Sequence, residues 1–592
     1  MRPRLLARER ELADHIRPFV LGEAVRDFTW SAKDRILFPY DDHFRPHDAF
    51  DVLLWPWRTT LAQRATFQGV MSDSGLRWSE YMQMTWAPYA TPLSLVFAFV
   101  ATHNHFVLDR GGKVFKQSAP VIKLPADATE DDYLDLLGVL NSSTACFWLK
   151  QVSHNKGNGG IGGGIGDEDW EPRYEFTGTK LQEFPLPASL PRERARLLDG
   201  LAVSLGAVSP SGVVGGSGSL GGLNAAHLEW DAVRARMVFA QEELDWEVSR
   251  SYGLLDADLT YAGSGIDAIA LGSRAFEIAL ARSVESGSES TAWFARHGST
   301  PLTSLPSSWP ADYAAVVEER LALISSDPFI GLLERPEFKR RWASASWESL
   351  ERDALRGFVL DRLEEPGLWS ESSGPRVMSV AQLADRVRGD VDLVEALRLL
   401  AGAVEVDVAG ELGSLLSSEA VPFLAAHRYK DSGLRVRAEW ESVWALQRRE
   451  DAGEKVSIPV PPKYKPVDFR KPSYWQARGK LDVPKERFVL YPGAGRAGDN
   501  SLVLGWAGWD QLEQARALAT LIVDRSRDEA WAEEKLLPLV AGLVELEPWL
   551  HQWFDAPDPL FGGSPAAFIT GFIDDQLTGL GKTRDDAKAW RP

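Results

Sequence analysis

The sequence predicts an α+β multidomain protein with a mixed, β-rich front domain carrying one long helix, a mainly α-helical region behind it and a small α+β domain at the C-terminus. Three observations predict this. The chain has 592 residues, 44% of them hydrophobic and 25% charged, which is too long for one ordinary domain and sufficient for several cores. Its front holds short β-rich runs such as LSLVFAFVAT and HFVLDRGGKVF among many aromatic residues. From His227 onward the apolar spacing becomes helical.

In the front segment, residues 1–187, the run Asp131–Gln151 places Tyr133, Leu136, Leu137 and Leu140 on one side, behind acidic residues suited to a helix N-terminus. It predicts a single helix of about five turns. A glycine-rich loop follows, and then YEFTGTKLQEFPLP as a short strand with an exit turn. Residues 188–225 read as one helix, Pro191–Leu205, and a Gly/Ser/Val linker, Ser209–Gly222. Residues 226–427 predict a helical accessory domain, with helices over His227–Tyr252, Pro310–Ser325, Trp347–Glu364 and Val380–Ala401. Residues 428–592 predict a basic strap, two strands (VPKERFVLYP and SLVLGWAGW) and three helices over Asp510–Arg525, Asp528–Phe554 and Ser564–Leu577.

The net charge of −19 opposes a protein coated in positive potential, but a local basic face suffices for nucleic acid. Residues 1–187 carry 20 Lys and Arg against 24 Asp and Glu, and the remaining 45 against 60 concentrate the acidity behind them. Within that acidic part, Arg428–Phe488 reverses sign, with 15 basic residues against 9 acidic ones, and interleaves Tyr464, Phe469, Tyr474 and Trp475. Lys463, Lys465, Arg470, Lys471, Arg478 and Lys480 are its candidate phosphate contacts. A solvated, proline-rich surface loop is the equal alternative. No run of about 18 apolar residues occurs and no apolar segment follows the Arg-rich start, so neither a membrane partner nor a secretory signal is expected, and a cytoplasmic location is.

Motifs of chemistry are scarce. Cys146 is the single cysteine, which excludes intrachain disulfides and Cys-based zinc sites, and its setting reads as core. His103, Asn104 and His105 lack the spacing of a helical zinc site, so no metal is expected. The glycines of 159–166 leave a helix and run into Asp167, Glu168 and Asp169, which repel phosphate, so a nucleotide loop is disfavoured. A GxSxG elbow with a strand before it is absent. Adenine methyl transfer requires a glycine loop after a strand for S-adenosylmethionine and an Asp/Asn-Pro-Pro-Tyr/Phe pocket. The only Pro-Pro pair, Pro461-Pro462, sits in VPPKY without the carboxylate, amide or aromatic, and no catalytic residue is assigned.

Two stretches carry a resemblance. Lys116–Pro187, with LNSS, WLKQ, the glycine loop and FPLP in that order, and Pro466–Leu518, with PVDFRKPSYWQARGKLDVPKERFVLYP and SLVLGWAGWDQLEQARAL, resemble the regions behind the catalytic domain of PglX-type adenine-specific DNA methyltransferases. Those proteins belong to type 2 bacteriophage-exclusion (BREX, phage-growth-limitation) systems. IRPFVLGEAVRDF at Ile16–Phe28 is similar to the phrase that opens their recognition domain.

The resemblance implies a DNA target-recognition role within an S-adenosylmethionine-dependent, adenine-specific enzyme. It also implies that the cofactor and the catalysis belong to another half, in a separate chain or lost, so that this chain is expected to be inactive alone and to carry no cofactor. Double-stranded DNA, a catalytic methyltransferase chain and other phage-exclusion proteins are the implied partners. Candidate DNA contacts are Lys113, Lys116, Gln117, Lys123, Lys150, Gln151, His154, Asn155, Lys156 and Arg173. Trp55, Trp57, Trp148 and Trp170 read as packing rather than base stacking. A scaffold for protein partners, without a DNA-reading role, is the competing expectation.

Overall fold

A computed structural model describes residues 15–592 except 32, 33, 42, 67, 68, 90, 158–167, 169, 218, 219 and 344. The chain forms two units that do not follow chain order. The first comprises Arg17–Leu37 and Thr85–Ala354; the second comprises Phe38–Met84 and Leu355–Pro592, with His15 and Ile16.

In the first unit, β1 (Ser94–Phe97) is the centre of an antiparallel sheet. It pairs with β3 (Phe106–Asp109) from Ser94↔Asp109 to Phe97↔Phe106, and with β5 (Val121–Ile122) on its other edge. Every residue of β1 and β3 is buried, which is why both are apolar without alternation except at the paired ends Ser94 and Asp109. Between them lies β2 (Val100–Ala101), and after β3 comes β4 (Val114–Phe115), which pairs in parallel with Ile16–Val20.

The stretch expected as one five-turn helix is two: α1 (Glu130–Leu140) and α2 (Ser143–Val152). Thr129 opens α1 with a capping box to Asp132. The break follows from Asn141 and Ser142. Ser142 caps α2, accepting from the Ala145 N–H at 3.1 Å, and the Asn141 amide pairs with both backbone groups of Phe106 at 2.9 and 3.0 Å. A polar pair that is better satisfied outside the helix ends it.

Behind the sheet, α3 (Arg192–Ala207) packs on α1 and on α4 (Leu223–Ser251), matching two expected helices. The expected linker is a correction: Pro210–Ser217 is helical, and Val214 and Leu220 are buried. Pro210 suits a first helical turn, and packing outweighs the poor propensity of glycine.

The middle of α4 is unusual in burying Gln241, Glu242, Glu243 and Asp245. Each charge has a cationic or amide partner: Arg320 donates to Glu243 at 2.7 Å, and Lys339 lies 3.4 Å from Asp245 and 2.5 Å from Glu334. Arg340 ties the unit together. Its guanidinium donates to Gln241 at 3.1 Å, Asp27 at 3.0 Å and Asn141 Oδ1 at 2.9 Å, and lies 3.1 Å from His105 Nδ1.

His103 and His105 are buried beside it, and burial, reinforced by Arg340, holds both imidazoles well below 6.5. Burial likewise pushes His297 down to about 4. These groups are neutral when folded and bind a proton more readily when unfolded. Their stabilising contribution is therefore present above pH 6.5 and lost as pH falls through the depressed folded values. Calorimetric scans at stepped pH are expected to show the thermal midpoint dropping as pH is lowered from about 7 towards 4. A midpoint that stays flat across that window contradicts the assignment.

The second unit centres on a four-stranded sheet in the order β8 (Met378–Ser379), β11 (Val503–Trp506), β10 (Phe488–Leu490), β9 (Ala420–Pro422). β9 and β10 are parallel, and the two C-terminal strands expected from sequence form the antiparallel pair β10–β11. Three helices follow as expected, α6 (Gln511–Asp528), α7 (Glu533–Trp553) and α8 (Pro565–Gly579). The run expected as one helix over Val380–Ala401 is broken, because Asp390 caps a second helix from Val391 through the Leu393 N–H at 3.1 Å.

The Trp55–Trp57 turn docks on α5 (Asp431–Asp451). Trp55 Nε1 donates to Asp451 at 2.7 Å and Trp444 Nε1 to the Pro56 carbonyl at 2.8 Å. Trp55 is buried and Trp57 packs against the same core, as the packing reading expects.

The basic strap needs correction. Its aromatics are not surface platforms: Tyr464, Phe469 and Tyr474 are buried in that core and Trp475 packs against it. Burial of four large rings outweighs solvation of the lysines between them.

Candidate nucleic-acid interface

The candidate contacts of the first unit separate into two groups. In the first group the charge serves the fold. Lys113 is ion-paired with Asp109 and lies over the Trp30 ring at 4.5 Å. Lys123 donates to the carbonyls of Thr91 and Leu93 at 2.5 and 2.7 Å. Lys150 is buried in the last turn of α2, donates to the Glu337 carbonyl at 2.5 Å and faces the Tyr174 ring at 5.2 Å. Burial lowers the proton affinity of both Lys123 and Lys150.

The second group is exposed and contiguous. Gln151 lies in the last turn of α2, which leads into β6 (His154–Gly157), whose four residues are all exposed. β6 pairs antiparallel with β7 (Arg173–Glu175), and β7 pairs in turn with β2. Lys156 is ion-paired with Glu175. Arg173 is exposed and forms no ion pair among the described residues. The Lys116–Gln117 turn, also exposed, joins the same surface through Ser118, whose carbonyl accepts from the Phe99 N–H at 3.0 Å, while Phe99 accepts from Phe176 at 2.8 Å. Gly22 is required on its other side: a Cβ there would stand 2.2 Å from the Ser118 oxygen. The glycine loop expected at 159–166 lies outside the described residues.

Two arginines that sequence reasoning missed stand behind this ribbon. Burial lowers the Arg26 guanidinium, and Arg173 adds to the lowering against Asp27 and Glu23. Burial pushes Arg341 down to about 10, with Arg26 and Arg296 acting in the same direction against Cys146 and Glu171. Arg341 stacks over Trp170 at 4.8 Å, yet its Nε and Nη2 have no hydrogen-bond partner among the described residues. Like charges held together, with two donors of Arg341 unmatched, make a surface that an anion stabilises, although Arg26 itself donates to the Gly22 and Val25 carbonyls at 3.0 and 2.6 Å. The only sequence signal was the doublet Arg340-Arg341 after Lys339, and it is ambiguous, because Arg340 is a fully committed core residue and Arg341 is not.

Residues 237–592, more than half of the chain, match the family model described as a domain of unknown function, DUF7008. The chain belongs to the DUF7008 family. It is also 46% identical, over its full length, to the adenine-specific methyltransferase PglX of Streptomyces coelicolor. The PglX-type resemblance read from the sequence is thereby borne out. The chain spans about half the length of that curated relative.

The DUF7008 match begins inside α4 and contains Arg296, Arg340 and Arg341, whereas Arg26 and the β6–β7 ribbon precede it. The arginine cluster therefore joins the family segment to sequence outside it. Its residues do not fit S-adenosylmethionine: the sulfonium would add a like charge to Arg26, Arg173 and Arg341, and the nearby carboxylates Glu171 and Glu175 are already paired with Arg296 and Lys156. No methyl-transfer step follows from these side chains. Cys146 is free and buried, and burial raises its thiol, so it is no nucleophile. Among the described residues no metal-ligand cluster occurs and no single helix is long and apolar enough to cross a membrane.

Proposed function

We propose that the first unit binds double-stranded DNA and serves as the site-reading part of adenine-specific N6 methylation in a phage-exclusion system, with S-adenosylmethionine and the catalytic pocket supplied by a methyltransferase half outside these residues. The observation that carries the reading is Arg341, whose Nε and Nη2 lack partners among the described residues, gathered with Arg26 and Arg173 at an exposed two-stranded ribbon. Arg26, Arg173 and Arg341 can neutralise phosphates, while Gln117, Gln151, His154 and Asn155 offer short polar groups to base edges. An antiparallel ribbon is narrow enough for the major groove. The similarity to a methyltransferase that acts on adenine supplies the reaction class.

Fluorescence anisotropy with a duplex of about 20 base pairs tests it. Affinity is expected to fall linearly in log–log form between about 50 and 300 mM salt, and Arg341→Gln to weaken binding about tenfold. Absence of duplex binding at low salt, or an unaltered affinity in Arg341→Gln, removes the reading.

A further inference from the structure

The second unit holds a partly open cavity of about 200 Å³ between the Trp55–Trp57 turn, α5, α7 and β10. Its lining joins indole and phenol surfaces, among them Trp57, Trp444, Trp509, Trp549 and Tyr491, to buried charge. The N–H groups of Trp57 and Trp444 are committed to the carbonyls of Leu481 and Pro56 at 2.7 and 2.8 Å, so these residues offer the void only ring surface. Charge comes from Arg428, Arg437, Arg478, Asp482 and Glu545, of which Arg437 and Glu545 matter most here. Arg437 donates to Glu441 at 2.8 Å and lies 3.4 Å from Asp482. Glu545 accepts only from the Ala425 N–H, at 3.1 and 3.3 Å, and has no side-chain partner among the described residues. Burial raises its carboxyl above the ordinary range against the pull of Arg437 and Arg428.

This lining excludes two ligand classes. A cation is opposed by Arg428, Arg437 and Arg478 in the wall, and guanidinium groups already lie over Trp444 and Trp549 at 4.7 Å each. A compact anion is opposed by Asp482 and Glu545. A neutral, flat heterocycle meets both conditions, because it stacks on the rings, offers an N–H to Glu545 and accepts from Arg437.

We infer that this cavity is a nucleobase-binding site, in which Glu545 accepts from the amino or imino edge of a base held among the tryptophans. The base can come from a free nucleotide or from an unpaired nucleotide of DNA, since both present the same edge and face. The site is independent of the ribbon, and charge changes at Lys116 and Arg173 leave it intact.

The full chain is titrated calorimetrically with the four nucleoside monophosphates, and separately with a duplex containing one unpaired nucleotide against its fully paired counterpart. Binding of a monophosphate that weakens about tenfold or more in Glu545→Gln assigns a free nucleotide. A preference for the unpaired duplex that disappears in Glu545→Gln assigns DNA. Leu546→Phe adds volume to the lining without touching a charge and is expected to block either ligand while the protein keeps its thermal midpoint. Failure of all probes to bind the parent chain, or binding that survives both variants, overturns the inference.

Discussion

Arg340→Met is expected to destabilise the first unit by about 3–5 kcal/mol, the cost of leaving a buried charge network without one partner. The guanidinium reaches Gln241, Asp27 and Asn141 at once, and so joins α4, the β-rich front and the α1–α2 break. Asp27 and Phe28 both hold positive φ, 44° and 62°, in a turn that this contact pins. Methionine keeps the stem volume but removes every donor, and Asp27, Asn141 Oδ1 and Gln241 Oε1 then lose their hydrogen bonds from it. Chemical denaturation read by tryptophan fluorescence measures the loss. A shift below about 1 kcal/mol shows that the network closes without Arg340.

The second large effect concerns binding. Lys116→Glu with Arg173→Glu is expected to weaken duplex affinity by about 100-fold at 0.1 M salt and to flatten the salt slope by about 2, since two phosphate contacts become repulsions. Both residues are exposed and unpaired among the described residues, so the fold has no stake in them. Lys465→Glu with Lys480→Glu, exposed in the second unit, is the comparison. It changes net charge equally and is expected to alter affinity several-fold less. Equal losses from the two pairs indicate a general charge effect rather than a ribbon interface.

The helices whose apolar faces follow one register were legible in the sequence. Arg192–Ala207, Leu223–Ser251, Gln511–Asp528, Glu533–Trp553 and Pro565–Gly579 stand where periodicity puts them. The failures occur where side-chain hydrogen bonds outrank periodicity, as at Asn141-Ser142 and Asp390, where a cap interrupts a pattern that continues on both sides. The basic strap misled because composition counts its lysines and cannot show that the rings between them face inward.

The candidate site was legible only in its exposed half. Lys116, Arg173 and the ribbon carry their polarity outward, whereas Lys113 and Lys150 look identical in sequence and are held within the protein. Arg341 was hidden because a buried cation normally signals a partner, and only coordinates reveal that its Nε and Nη2 have none among the described residues, while Arg26 is bonded to the Gly22 and Val25 carbonyls.

The interleaving of the two units sets a timetable for synthesis. Trp55 bonds to Asp451, 396 positions later in the chain. At ribosomal speeds of about 5–20 residues per second, the Trp-Pro-Trp turn waits roughly 20–80 s for its dock to emerge. The first unit has all its residues by Ala354 and can close beforehand. Throughout that interval the indoles of this turn are without the helix that covers them in the finished protein.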